Sequence, residues 1–408
     1  MPRNNGPIVV VGSSIAGLSA ARELRACGFA GEIVLLDRDP HAPYRRPEVS
    51  KGLLNGAISD EKAAIPWPAA LDVTRLPGAE ATRLDRARRT VTARTTIGDV
   101  TLKYAGLVIA TGSEPRPSLF PAMAGVHVLR TAADSRRLRG ELAAAGRVVI
   151  VGAGFIGLEV AYVAAAMGKS VTVVEPLELP MAPVLGTDLS AALLRLHRGH
   201  GVAFRLGCQV RELRAGADGG VARVLLDDGS RVEADVVLVA IGSVPSVGWL
   251  RGSGLSVAGG VQCDATCAVT GADDIVAAGD VALWPNPLYG RLMRVEHWAH
   301  AIEQGTYAAR RLLGAHEVSG FTAAPYFWSQ QYERRLQCVG STAGHNRTEV
   351  LDPDPDRMIV AYFVDDRLIA VAGLAPGPAI PRFRPLVLER AASCRVLARQ
   401  GDPVAEAR

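Results

Sequence analysis

The sequence predicts an α/β protein with two Rossmann-like dinucleotide-binding domains followed by a smaller C-terminal α+β domain. Three observations predict it. A glycine-rich strand–turn–helix pattern occurs twice, with 140 residues between Gly12 and Gly152. Each copy continues into a second apolar strand that ends in an acidic residue, as in dinucleotide-binding βαβ units. Beyond Phe321 the pattern changes to short strands separated by turn residues.

Length and composition agree with this fold and exclude several classes of protein. A chain of 408 residues is too long for one ordinary domain, and 49% of its residues are hydrophobic. The net charge of +4 is too small to indicate a nucleic-acid-binding protein. No apolar run approaches the roughly 20 residues of a membrane span, so we expect no membrane association. The apolar N-terminal stretch carries glycines at nucleotide-loop spacing, which favours a cytoplasmic protein over a secreted one.

The first copy of the pattern is "VVGSSIAGLSAAREL", residues 10–24. Its loop places backbone N–H groups and a helix N-terminus where a pyrophosphate binds, and its residues are Gly12, Ser14, Ile15, Ala16 and Gly17. Ser14 occupies the position of the usual second glycine. The following strand, "EIVLLD", ends at Asp37, and Asp39 follows two residues later. Either carboxylate could accept hydrogen bonds from a ribose, and Asp37 is slightly favoured.

The second copy, "VVIVGAGFIGLEVAYVAAAMGKSVTVVE", is complete. Its loop and first helical turn contain Gly152, Gly154, Phe155, Ile156 and Gly157, and its second strand ends at Glu175. A carboxylate at this position accepts a hydrogen bond from the ribose 2′-OH of NADH and repels the 2′-phosphate of NADPH. No Lys or Arg follows in "PLELP", so we expect NADH. Two copies in one chain indicate two dinucleotides, one of them a flavin.

Three further apolar strands run into turn residues. "YAGLVIATGSEPRP" leads to Thr111 and Gly112, and "ADVVLVAIGSVPS" leads to Gly242. In flavoproteins that bind two dinucleotides, such strands return the chain from one domain to the other. "DDIVAAGDVA" ends at Asp280, which is well placed to bind the ribityl chain of a flavin or to cap a helix.

Together with these motifs, "PHAPYRRPEVSK", "RVEHWAHAIEQG" and "FWSQQYERRLQCVG" make the chain similar, nearly end to end, to the FAD-dependent ferredoxin reductases that serve cytochrome P450s and Rieske-type dioxygenases. The resemblance implies a glutathione-reductase-like arrangement, FAD and NADH as cofactors, and a [2Fe–2S] ferredoxin as electron acceptor. Relatives commonly carry a small residue other than glycine at the position of Ser14, so the first copy is expected to bind FAD.

The resemblance also assigns residues. It places Lys51 beside the isoalloxazine ring, Glu159 near the nicotinamide, and Trp328 at the flavin edge where an acceptor would dock. It implies further FAD contacts from Arg46, Ala81, Arg130, Glu296, His297 and Trp298. The sequence departs from the family at Glu48 and Val49, and Gln330 stands where Asp is common, which puts an acidic role there in doubt.

The expected activity is hydride transfer from NADH to FAD, followed by single-electron transfer to ferredoxin. Hydride transfer depends on stacking and orientation, so no general base is assigned, and the histidines show no metal-ligand spacing. The six cysteines contain no C-x-x-C pair, which argues against a disulfide reductase. An NADH oxidase or rubredoxin reductase, or a flavoprotein switch that responds to NADH, stays open. A monomer is expected.

The domain boundaries follow from these strands. We predict a split FAD domain, residues 1–113 and 244–320, with an NADH domain at 114–243 between its parts and a C-terminal domain at 321–408. "GTDLSAALLRLHRGHG" predicts a helix, and Asp228-Gly229 predicts a hairpin turn. In the C-terminal domain Asp365-Asp366 predicts a tight turn, and "RPLVLERAASCRVLARQ" predicts a final helix over the sheet.

Overall fold

The computed structural model describes residues 6–67, 71–315, 320–354, 357–375 and 379–397. The elements before the second glycine-rich loop are, in chain order, β1 Ile8–Val11, α1 Ile15–Ala26, β2 Ile33–Asp37, α2 Gly52–Asn55, α3 Asp60–Ala63, β3 Thr74–Pro77, β4 Glu80–Asp85, β5 Thr90–Thr95, β6 Gly98–Lys103, β7 Gly106–Ile109, β8 Ser113–Pro115, β9 Val126–His127 and α4 Ala132–Ala144. A 3₁₀ helix, Arg46–Ser50, precedes α2.

The middle of the chain contains β10 Arg147–Val151, α5 Phe155–Ala166, β11 Ser170–Glu175, α6 Ala182–Gly199, β12 Ala203–Leu206, β13 Val210–Ala215, β14 Val221–Leu226, β15 Arg231–Glu233, β16 Val236–Val239, β17 Ser243–Pro245, β18 Val261–Gln262, β19 Ala268–Val269, β20 Ala272–Ala277, β21 Ala282–Asn286, β22 Arg291–Met293 and α7 Trp298–Leu312. The last elements are β23 Tyr326–Gln331, β24 Arg334–Gly340, β25 Arg347–Asp352, β26 Ile359–Val364, β27 Arg367–Leu374, α8 Arg384–Leu388 and α9 Ser393–Leu397.

The described residues divide into two compact units, each built from discontinuous segments. Unit 1 comprises Met1–Arg45, Ala64–Glu114 and Ser243–Pro325, and unit 2 comprises Arg46–Ala63, Pro115–Gly242 and Tyr326–Arg408. The segment Arg46–Ala63 belongs to unit 2, which the sequence did not indicate. The chain passes between the units five times, and two of these passages, after Glu114 and after Gly242, lie within one residue of the predicted edges of the inserted domain.

Unit 1 is built on a six-stranded sheet of order β19-β20-β7-β1-β2-β3. Its central strand β1 pairs in parallel with β2 and β7, with Val10 opposite Leu35 and Val108. These strands are fully buried runs of Ile, Val and Leu, as expected for a parallel sheet covered on both faces. The helices α1 and α7 approach closely, since a Cβ on Gly305 would lie 2.3 Å from the carbonyl oxygen of Ala16.

Unit 2 contains a five-stranded parallel sheet of order β12-β11-β10-β16-β9. The strand β10 occupies the same place as β1 in unit 1, between β11 and β16, with Ile150 opposite Val173 and Leu238. A hairpin of β14 and β15 turns at Asp228 and Gly229, which confirms the predicted turn. The predicted helix in "GTDLSAALLRLHRGHG" is present over 187–199, with a kink at Gly186 (φ = 68°), and ends two residues before that segment does.

The C-terminal part of unit 2 is an antiparallel sheet of order β23-β24-β27-β26-β25. The predicted turn at Asp365 and Asp366 joins β26 to β27 and is confirmed. The predicted single final helix is wrong. The structure has two short helices, α8 and α9, because Arg390 takes a left-handed φ of 49° and Ala392 forms a β-bridge with Arg367 at the start of β27. Residues 398–400, the end of that predicted helix, lie outside the described residues.

Candidate functional site

The first glycine-rich loop joins β1 to α1 in unit 1. Gly12 has φ = 102°, and a Cβ at this position would lie 2.3 Å from the carbonyl oxygen of Ala110. Gly152 in the second loop has the same φ, and its Cβ would lie 2.5 Å from the carbonyl oxygen of Ala240. Only glycine fits either position. The sheet geometry therefore requires the first glycine of both motifs.

The second position of each motif is different, because its backbone does not require glycine. Ser14 has φ = −70° and ψ = −171°, and Gly154 has φ = −81° and ψ = −172°. Both angles are open to any L-residue. A Cβ on Gly154 would meet no atom within 4 Å. The serine in the first loop therefore fits the fold as well as the glycine of the second.

An acidic residue at the end of the second strand holds each loop. The carboxylate of Asp37 accepts hydrogen bonds from the backbone N–H and the hydroxyl of Ser13. In unit 2 the Oε2 atom of Glu175 accepts the backbone N–H of Ala153 at 2.7 Å. Asp37 and Glu175 thus occupy equivalent places, beside the loops. Asp39 instead accepts hydrogen bonds from the backbone and ring of His41.

The first turns of α1 and α5 lie directly after these loops, and both helices begin without a side-chain cap. Uncapped N–H groups at a helix N-terminus, together with the helix dipole, attract a phosphate group. The first turn of α1 contains Ile15, Ala16 and Gly17, and that of α5 contains Phe155, Ile156 and Gly157. Both loops therefore fit the pyrophosphate of a dinucleotide.

Other predicted residues of unit 1 lie at the carboxyl edge of the same sheet. β7 ends just before Thr111 and Gly112, and the hydroxyl of Thr111 donates to the carbonyl oxygen of Ser246 at 2.8 Å. The hydroxyl of Ser113 donates to the carboxylate of Asp280 at 3.0 Å. Gly279 lies against α1, since its Cβ would be 2.9 Å from the Cβ of Ala16. The structure therefore brings Asp280 to the first loop.

The segment before α7 carries three more predicted residues. Glu296 forms an ion pair with Arg294 and accepts a hydrogen bond from the hydroxyl of Ser243. His297 is the N-cap of α7, and Trp298 is the first residue of that helix. Burial lowers the pKa of His297 to about 4, so its ring is neutral at physiological pH. The predicted residue Ala81 lies apart from this segment in the sequence, on β4, opposite Ala93 of β5.

A buried ion pair stands out in unit 2. Glu159 on α5 is only 4% exposed, and its Oε2 atom lies 2.7 Å from the Nζ atom of Lys51. The same carboxylate accepts hydrogen bonds from the hydroxyls of Ser50 and Ser329. A buried carboxylate with three such donors is held in one orientation. Ser50 and Ser329 lie within the segments "PHAPYRRPEVSK" and "FWSQQYERRLQCVG", but neither serine was predicted to belong to the site.

Two cations of the same unit lie close to the ring of Trp328. The Nζ atom of Lys51 is 5.2 Å from the centroid of its ring, and the Cζ atom of Arg335 is 5.0 Å away. Trp328 is 36% exposed, so part of the ring faces solvent. Cations over an indole are attracted by its π-system and fix its plane. The adjacent Gln330 donates from its amide to the backbone of Tyr332 and Arg334, which ties the β23–β24 hairpin together.

Arg46 and Arg130 are also brought together in unit 2, where Nη1 of Arg46 donates to the carbonyl oxygen of Arg130 at 3.0 Å. The backbone N–H of Arg130 in turn donates to Asp134. Gly242, with φ = 100°, follows β16. The predicted residues of this unit therefore lie on or directly after the 3₁₀ helix, just before α4, on α5, on β23 and at the carboxyl ends of the parallel strands.

The thiols and histidines do not form a reactive cluster in the part of the chain that the structure describes. All six cysteines are free, and burial raises the pKa of Cys263 and Cys338 to about 12. His300 stacks on Trp284 with ring centroids 4.8 Å apart. Within the described ranges no three metal-ligating side chains come together, and no helix is long and apolar enough to cross a membrane.

Comparisons with known proteins match both parts of the chain. Residues 6–305 match the family model "Pyridine nucleotide-disulphide oxidoreductase", and residues 326–404 match "Reductase C-terminal". The ferredoxin–NAD(+) reductase component of the anthranilate 1,2-dioxygenase system of Burkholderia cepacia is 37% identical over 386 residues, 93% of this chain and 94% of that protein. Putidaredoxin reductase of Pseudomonas putida is 35% identical over 381 residues, 90% of this chain and 88% of that protein.

A solved structure gives the same result. The crystal structure of the covalent putidaredoxin reductase–putidaredoxin complex matches with a TM-score of 0.90 and 31% identity, covering 98% of both chains. This match confirms the predicted fold class, with two dinucleotide-binding domains and a C-terminal domain.

Proposed function

Because the chain belongs to the pyridine nucleotide-disulphide oxidoreductase family, we propose that it is an NADH-dependent ferredoxin reductase. It is an oxidoreductase that binds FAD and uses NADH. Its electron acceptor in this proposal is a [2Fe–2S] ferredoxin, which then feeds a cytochrome P450 or a Rieske-type oxygenase. The observation that carries the proposal is that the similarity to ferredoxin reductases runs through the C-terminal part as well as the dinucleotide-binding part.

The thiols support direct electron transfer rather than disulfide chemistry. Only a thiolate attacks a disulfide, and burial holds the pKa of Cys263, Cys267 and Cys338 far above neutrality. Cys27, Cys208 and Cys394 are at least partly exposed but far apart in the sequence, and none is joined to another. Electrons therefore have no cysteine pair to pass through on their way to the acceptor.

We assign FAD to the loop of unit 1. The N-terminus of α1 would bind the pyrophosphate of FAD. Asp37 would accept hydrogen bonds from the hydroxyls of its adenosine ribose, and Asp280, next to the loop, would bind its ribityl chain. Asp37 is preferred to Asp39 because it occupies the place of Glu175 in the second copy. FAD, when bound, accepts a hydride from NADH and gives up its electrons singly.

NADH is assigned to the loop of unit 2, with Gly152 and Gly157 at its pyrophosphate and Glu175 at its ribose. The carboxylate of Glu175 would repel the 2′-phosphate of NADPH. The Lys51 ammonium is held by Glu159, and the family resemblance places this pair at the reacting rings. A fixed cation there would favour negative charge on the reduced flavin.

The experiment mixes the purified yellow protein with NADH or NADPH under anaerobic conditions and records flavin bleaching, then adds oxidised ferredoxin. We expect rapid bleaching by NADH, at least tenfold slower bleaching by NADPH at equal concentration, and reoxidation of the flavin by ferredoxin. Bleaching without reoxidation by any of several ferredoxins would overturn the proposal and favour an oxidase or a switch.

A further inference from the structure

We infer that Ser329, Gln331 and His197 are positioning residues for Glu159, joined to it by one continuous chain of hydrogen bonds. The inference rests on the proposed function in one respect, since it takes Glu159 and Lys51 as the ion pair that serves hydride transfer. It adds residues from β23 and from α6 to that pair. Ser329 and Gln331 lie within the segment "FWSQQYERRLQCVG" and His197 within "GTDLSAALLRLHRGHG", but neither segment indicates a role for them.

The chain of hydrogen bonds starts at the carboxylate and runs inward. The hydroxyl of Ser329 donates to the Oε1 atom of Glu159, and the Nε2 atom of Gln331 donates to the hydroxyl oxygen of Ser329 at 2.9 Å. The Oε1 atom of Gln331 lies 2.9 Å from Nε2 of His197, and the hydroxyl of Tyr332 lies 3.1 Å from Nδ1 of that ring.

Every member of the chain is oriented in the same direction. Because the nitrogen of Gln331 donates to Ser329, its oxygen is the atom that faces His197 and must accept the proton on Nε2. The Nδ1 atom then accepts from the hydroxyl of Tyr332. The ring is neutral, since burial lowers the pKa of His197 to about 4. All donors therefore point toward Glu159, where the chain ends on a negative charge.

Burial prevents water from replacing these hydrogen-bond partners. Ser329, Gln331 and His197 are fully buried, so no water competes for their hydrogen-bonding groups. A buried polar group without a partner is costly, and each member here supplies the partner of the next. Rotating the carboxylate of Glu159 would break the bond from Ser329 and leave the proton of that buried hydroxyl without an acceptor. The chain thus fixes the carboxylate, and the carboxylate fixes the ammonium of Lys51.

The chain orients Glu159 and does not conduct protons to it. Passage of a proton through Gln331 would require its amide to give up one N–H proton while its oxygen takes another, which an amide does not do readily at neutral pH. Because no proton reaches Glu159 through these residues, they do not act as acids or bases in the reaction. The three residues touch no reacting atom, so they act only through Glu159.

The test uses the full-length FAD-loaded protein and three variants. Ser329→Ala removes the donor, Ser329→Thr restores a hydroxyl, and Ser190→Ala removes a buried hydroxyl on α6 that has no hydrogen-bond partner among the described residues. We expect Ser329→Ala to slow flavin reduction by saturating NADH about tenfold, as for loss of a hydrogen bond to a charged group. The other two variants should stay within about twofold, below what one neutral hydrogen bond contributes.

A second readout does not depend on turnover. In the ¹⁵N spectrum of the histidine-labelled holoprotein, the resonance lost in His197→Gln should report a neutral ring with its proton on Nε2 at pH 7. A proton on Nδ1 would reverse the chain and overturn the inference. Equal reduction rates for Ser329→Ala and the parent would also overturn it. A parent protein that NADH does not reduce would instead count against the proposed function, and the ¹⁵N result would still decide the chain.

Discussion

Replacing Glu159 with Gln tests whether the buried ion pair contributes to the structure as its geometry implies. The Nζ–Oε2 distance is 2.7 Å, and the side chains of Lys51 and Glu159 are 15% and 6% exposed. Removing one partner of such a pair leaves a buried charge uncompensated and costs about 3–5 kcal/mol of unfolding free energy. The Gln carbonyl can still accept from Ser329, so we expect the lower end, about 3 kcal/mol.

The assay is urea unfolding of the FAD-loaded protein, followed by far-UV circular dichroism, for Glu159→Gln, Lys51→Met and the double variant. In the double variant the uncompensated charge is gone, so its loss should be smaller than the sum of the single losses by about 2 kcal/mol. Glu333→Gln is the control, because its side chain is 78% exposed and its contact with His200 is 3.8 Å. It should change stability by less than about 0.5 kcal/mol. Additive single losses, or a change for Glu159→Gln as small as the control, would refute this reasoning.

Three more predictions follow from the same structure. Gly154→Ser should retain NADH affinity within about threefold, because the backbone at this position allows a Cβ. Gly152→Ala should weaken NADH binding at least tenfold, because the backbone there allows only glycine. Fluorescence titration measures both affinities, and equal effects of the two substitutions would contradict the account of the loop. Burial lowers the pKa of His197 and His297 to about 4 and that of His300 to about 3. Below pH 6.5 the unfolded chain therefore binds protons that the folded chain does not. The unfolding free energy that these neutral histidines contribute above pH 6.5 is lost as the pH falls toward 4, by about 1.4 kcal/mol per histidine per pH unit. Urea midpoints at pH 7.0 and 5.5 check this, and equal midpoints would count against it. Finally, the adjacent Arg334 and Arg335, the second of which lies at Trp328, should attract an acidic ferredoxin. Ferredoxin reduction should then slow as ionic strength rises from about 20 to 200 mM, and an unchanged rate would contradict this attraction.

The fold could be predicted from the sequence because its signals are local. Gly12 and Gly152 are required by the backbone, buried strands are continuous apolar runs, and each second strand ends in a carboxylate that holds its own loop. These features recur within about 25 residues of one another, so a pattern search finds them. The final helix was mispredicted because a β-bridge to a distant strand, between Arg367 and Ala392, overrides the local helical pattern.

The surroundings of the ion pair could not be predicted in the same way. Ser50 and Ser329 contact Glu159 across 109 and 170 residues of sequence. Both serines lie in segments that resemble the family, but serine is common and nothing in those segments identifies these two hydroxyls as contacts of Glu159. Their role follows only from tertiary packing, which brings the 3₁₀ helix and β23 to α5 within unit 2. The resemblance to the family pointed to Lys51, Glu159 and Trp328 but not to the hydroxyls that orient them.

The most direct test of the central claim is NADH-driven reduction of cytochrome c by the purified protein, with and without an added [2Fe–2S] ferredoxin. An NADH-dependent ferredoxin reductase reduces cytochrome c slowly by itself and much faster when ferredoxin carries the electrons between them. We expect strong stimulation that saturates with ferredoxin concentration. Rapid bleaching of the flavin by NADH, without stimulation by any of several ferredoxins, would contradict the assignment.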